Sequence, residues 1–84
     1  MDIVWDERKR TQNQAKHGLD FADLDLAFFL DAHLVPAKQN RLLAIGELNG
    51  QIVIAVVFAA LGSEALSVIS MRPASRKERT LLWP

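Results

Sequence analysis

Residues 41–58 read RLLAIGELNGQIVIAVVF. Two apolar runs, RLLAIGE (41–47) and QIVIAVVF (51–58), stand on either side of Asn49-Gly50. That dipeptide is the pair best suited to a type I′ turn, in which both central residues take positive φ. The stretch therefore predicts a β-hairpin. Its second run is apolar on both faces, so it belongs in the middle of a sheet with layers on each side.

Toward the C-terminus, LGSE (61–64) makes the next turn and ALSVISM (65–71) a further strand, stopped by Pro73. Ser75 with Glu78 three residues on is a capping box opening a helix over 75–83. Toward the N-terminus, FADLDLAFFL (21–30) places Phe21, Leu24 and Phe28 at helical spacing. It reads as an amphipathic helix with Asp20 as N-cap and Asp23 in its first turn. Asp6 caps an earlier helix from Glu7 to His17, with Gly18 as its left-handed stop. IVW (3–5) is a short strand, and another fits near 34–38. The order β-α-α-β-β-β-α, dominated by hairpins, predicts an α+β fold: a mainly antiparallel sheet packed with helices. The 84 residues make a single domain, 1–84, whose small core benefits from a partner or a dimer.

Composition narrows the function. The chain has no cysteine, no closely spaced histidine pair and no carboxylate cluster, so neither a metal nor another cofactor is expected. MDIVWDERKR lacks the apolar stretch of a signal peptide or membrane span, which predicts a cytoplasmic protein without membrane contact. Formal net charge is zero, yet the charges are segregated. Over 7–17, Arg8, Lys9, Arg10 and Lys16 against Glu7 leave +3; over 18–35, four aspartates give −4. Over 65–84, Arg72, Arg76, Lys77 and Arg79 against Glu78 again leave +3. A basic face can exist without a basic total.

The first helix, ERKRTQNQAKH, offers Ala15 and little else to a core. Such a helix is weakly docked or presents a working surface. Lys16, His17 and Gly18 are explained by local physics, since cations suit a helix C-terminus and glycine its left-handed cap. That explanation does not cover the gathering of Lys9, Asn13 and Lys16 on one face. An imidazole, moreover, exchanges protons near neutral pH.

Beyond these local readings, Trp5-Asp6, Lys9, Asn13, Lys16-His17-Gly18 and Phe21 resemble the opening motif of BrnT-type toxins. Arg41 to Gly46 matches the central motif, and Ile69-Ser70-Met71-Arg72-Pro73-Ala74 with Glu78-Arg79 the C-terminal one. The resemblance spans the chain in order. It departs at Leu82, where the family commonly has tyrosine, and at Leu24, Asn40 and Pro73. The resemblance implies a RelE-like fold and a ribonuclease toxin of a type II toxin–antitoxin system. It also implies a cognate DNA-binding antitoxin as partner, in a heterotetramer with it or beside a toxin homodimer.

Metal-independent RNA cleavage by 2′-hydroxyl attack needs a base, cations for the phosphorane and an acid for the leaving 5′-oxygen. Arg72 is the first candidate, because strict alternation puts Leu66, Val68, Ser70 and Arg72 on one face and an arginine fork matches two phosphate oxygens. A salt bridge to Glu47 or Glu64 is the structural alternative. Arg41 is a second phosphate ligand or a solvated strand-end charge. His17 or Lys16 would transfer protons. Glu78 is a capping residue, an orienting partner of Arg72, or the base. Lys9, Ser70, Arg76, Lys77 and Arg79 are candidate RNA contacts, the last three also candidate antitoxin contacts. Trp5 is expected to anchor the first helix to the sheet, Trp83 to mark an interface, and His33 to sit solvated in a loop. The rival reading is a non-enzymatic module, a degenerate toxin that binds protein or nucleic acid through the same basic face.

Overall fold

The computed structural model describes residues 1–83; Pro84 lies outside them. Strands β3 (Leu42–Leu48) and β4 (Ile52–Leu61) form the hairpin expected around Asn49-Gly50. Asn49 and Gly50 take φ of 55° and 66°, and the Gln51 amide donates to the Leu48 carbonyl at 3.1 Å. This is the left-handed pair that a type I′ turn requires. Strand β5 (Ala65–Pro73) pairs with the other edge of β4, so β4 is the central strand. Strand β1 (Asp2–Trp5) runs parallel to β5, and β2 (His33–Pro36) is antiparallel to β3, giving the order β1-β5-β4-β3-β2. The fold is α+β with one parallel pairing in an otherwise antiparallel sheet.

The second strand is the element expected near 34–38, starting one residue and ending two residues earlier, and followed by a tight loop in which Gln39 and Asn40 are both left-handed. His33 opens this strand, exposed, rather than lying in a loop.

The single helix expected over 21–30 is two pieces. A 3₁₀ turn at Phe21–Asp23 is capped by Asp20, and α2 (Leu26–Asp31) is capped by Asp25, whose carboxylate accepts from the Phe28 amide at 2.9 Å. Asp25 competes with the helix for backbone donors and wins, leaving Leu24 extended between the pieces. Phe21, Leu24, Phe28 and Phe29 are still buried. They pack with Ala44, Val56, Phe58, Val68 and Met71 into the larger core. Gly46 belongs to this arrangement, because a Cβ there would stand 3.1 Å from the Phe28 ring. Each such buried side chain contributes about 1.5–3 kcal/mol.

The opposite sheet face carries a smaller cluster, Ile45, Val53 and Ala55, covered by Ala74 and by Leu82 of α3 (Arg76–Leu82). Helix α3 begins with the expected capping box between Ser75 and Glu78. Strand β5 does not alternate regularly. Val57 pairs with Ser70 and Phe58 with Val68, so Ile69 is a bulge. Leu66, Val68 and Met71 therefore face the larger core, whereas Ser70 and Arg72 share the opposite face with each other but not with Leu66 and Val68.

Candidate RNA-binding groove

Helix α1 (Glu7–His17) is capped at one end by Asp6 and at the other by left-handed Gly18 (φ 70°). Its one buried residue is Asn13. The carboxamide of Asn13 donates to the Met71 carbonyl at 2.9 Å and accepts from the Met71 amide at 3.1 Å. Near the start of the helix, Arg10 forms a two-pronged pair with Asp20 at 2.7 and 3.0 Å and also binds Glu7. That guanidinium, with the Ala22 amide, holds Asp20 below the usual carboxylate range. The Trp5 indole donates to Glu7 at 2.9 Å and meets Phe21 edge-on at 6.3 Å, which makes Trp5 the expected anchor between strand and helix.

Docked in this way, α1 and the end of β5 enclose a shallow groove of about 390 Å³, lined by Lys9, Gln12, Asn13, Lys16, His17, Ile69, Ser70 and Arg72. Five of the residues singled out from sequence meet here: Lys9, Lys16, His17, Ser70 and Arg72. Its charged lining, Lys9, Lys16 and Arg72, is entirely cationic, with the imidazole of His17 beside it.

Arg72 is paired with neither Glu47 nor Glu64. Its Nη1 and Nη2 donate to the two carboxylate oxygens of Glu78 at 2.7 and 2.8 Å. Glu78 is held down at about 2, first by this guanidinium and then, against the penalty of burial, by the Ser75 amide. The pair in turn raises the Arg72 pKa. Glu78 is therefore both the capping residue and the orienting partner of Arg72 that the sequence allowed. Among the bonds of the described residues none uses the Arg72 Nε, so the edge formed by Nε and Nη2 stays open to two oxygens of a phosphate. The side chain is 41% exposed.

The structure does not bring every candidate to the groove. Arg72 pairs with Ala55 and Ala55 with Ile45, so Arg41 lies two strands across and four residues along, roughly 10 Å by 13 Å away. Arg76, Lys77 and Arg79 are exposed on α3 and do not line it. Leu82 packs in the smaller core, and with Trp83, 56% exposed, it borders a second, acidic groove with Asp23, Asp25, Asp31 and Glu47. The position where the family commonly has tyrosine thus lies apart from the groove that holds Arg72. Asn13 is the residue whose inward role sequence did not isolate; its signal was a polar amide on a helix with no apolar stripe.

The family model described as "Ribonuclease toxin, BrnT, of type II toxin-antitoxin system" matches residues 5–78. Among solved structures, the crystal structure of the Brucella abortus ribonuclease toxin BrnT superposes with a TM-score of 0.86 at 66% sequence identity. That match covers 90% of this chain and 99% of the Brucella chain. No curated protein sequence matches.

Proposed function

The chain belongs to the BrnT family of ribonuclease toxins of type II toxin–antitoxin systems, and on that premise we propose that it cleaves RNA itself, without a metal, in the groove between α1 and β5. The observation that carries this reading is the convergence of Arg72, already oriented by Glu78, with Lys9, Lys16 and His17 from a separate element. Lys9 and Lys16 draw in the backbone of the RNA, and the open edge of Arg72 holds the scissile phosphate. His17 takes the proton of the 2′-hydroxyl, the 2′-oxygen attacks phosphorus, and the 5′-oxygen leaves with a proton supplied by Lys16. The products are a 2′,3′-cyclic phosphate and a 5′-hydroxyl. Arg72 stabilises the extra negative charge of the phosphorane, which develops where the guanidinium is already in place. Glu78, ionised down to about pH 2, is a poor base and acts by orientation.

The family implies an antitoxin partner. On this reading a DNA-binding antitoxin silences the toxin, with Arg76, Lys77 and Arg79 available to it on α3. Among the described residues no helix is long and apolar enough to cross a membrane. On this reading the toxin acts in the cytoplasm, where its RNA substrate is.

The test is end-group analysis of RNA cut by purified protein in EDTA. A cyclic phosphate product, and complete resistance of a substrate carrying 2′-deoxyribose at the cleavage site, are expected. Cleavage of the deoxy substrate, or dependence on added divalent metal, overturns the mechanism. No cleavage of any RNA supports the rival, a binding module using the same basic face.

A further inference from the structure

We propose that Asn13 is a positioning residue for cleavage: its carboxamide locks the two walls of the groove, α1 and the end of β5, into the spacing the reaction needs. This rests on the reading of the groove as an RNA-cleaving site.

Strand β1 covers the outer edge of β5 only from Ala65 to Val68. Beyond Val68 that edge has no strand partner among the described residues, and the N–H and C=O of Met71 would be left unsatisfied in a buried position, at a cost that native structures avoid. Asn13 meets both groups at once, at 3.1 and 2.9 Å. One carboxamide replaces the next residue of a strand ladder.

The residues on either side of this joint line the groove. Ser70 and Arg72 flank Met71. Lys9 lies four residues before Asn13 on the helix, Lys16 three after and His17 four after, so Lys9, Asn13, Lys16 and His17 lie on one side of α1. The other ties of α1, Arg10 to Asp20 and Trp5 to Glu7, hold its N-terminal half. With no buried apolar side chain, the half that carries Lys16 and His17 has Asn13 as its fastening to β5. A displacement of about 1 Å between catalytic groups costs on the order of 100-fold in rate. The joint requires a donor and an acceptor in one planar group. An aspartate of the same shape can accept from the Met71 amide but opposes its carbonyl.

The experiment compares wild type, Asn13→Ala and Asn13→Asp by steady-state cleavage of one labelled RNA and by amide exchange at Met71. Asn13→Asp keeps the shape of the side chain should Asn13→Ala not fold. We expect each folded variant to lose about tenfold or more in kcat while KM stays within about threefold, the pattern of lost transition-state alignment. In Asn13→Ala, which removes the acceptor, the Met71 amide should exchange about tenfold faster or more. If wild type cleaves and a folded variant keeps its kcat, or if Met71 exchange does not change in Asn13→Ala, the inference is wrong although the groove remains the site. If wild type itself does not cleave, the cleavage reading fails and the inference falls with it.

Discussion

Helix α2 is six residues long and is fastened to the sheet by Phe28 and Phe29, each buried among apolar neighbours. Helix α1 is eleven residues long and is fastened through polar groups alone: one buried asparagine, one arginine–aspartate pair and a tryptophan–glutamate bond. Apolar docking stabilises more per residue but uses up the helix face that makes it. Polar docking through a single buried amide leaves Lys9, Lys16 and His17 free to line a groove. On the proposed mechanism the two helices divide the work, α2 holding the fold and α1 carrying the chemistry.

Substitutions on the two helices should therefore fail in opposite ways. Phe28→Ala should cost about 3–5 kcal/mol of stability by chemical denaturation, while the fraction that remains folded cleaves at the wild-type rate. His17→Gln should do the reverse, with cleavage down at least about tenfold and the unfolding midpoint unchanged. Equal loss of stability from the two, or cleavage that survives His17→Gln, breaks the division.

A smaller effect sharpens it from the side of β5. The folded-state pKa of Glu78, about 2, lies below its ordinary value of 4.5. Its contribution is thus present above about pH 4.5 and is lost as pH falls from there to about 2. With its partner Arg72 substantially exposed, the contribution is roughly 1 kcal/mol. Acid titration of stability should show this loss in wild type and not in Glu78→Gln. Arg76→Ala, on the exposed face of α3, should change cleavage least, within about twofold.

Much of the fold was legible from sequence where local chemistry and tertiary structure agree. Asn49-Gly50 fixes the hairpin, the doubly apolar run from 52 marks the central strand, and Asp6, Gly18 and Ser75 mark helix ends. Reading failed where one residue changes the period. Asp25 splits a plausible helix, and the Ile69 bulge reverses the alternation of β5, so the face of Arg72 could not be counted from Leu66. The groove was partly legible: Lys9, Lys16, His17, Ser70 and Arg72 were marked by residue type and family motif. The pairing of Arg72 with Glu78 was not separable from pairing with Glu47 or Glu64, because it depends on how α3 folds back after Pro73. Arg41 carries a suitable group at a suitable strand end, and only the register places it across the sheet.

The most direct test of the account is the cleavage rate of Arg72→Ala against wild type in EDTA, with thermal melts of both. The account predicts a loss of about 10²–10³ in kcat, the cost of removing one pre-placed donor to a developing oxyanion, in a protein that still unfolds cooperatively. A folded Arg72→Ala that cuts RNA at the wild-type rate would contradict it and move the chemistry out of the groove between α1 and β5.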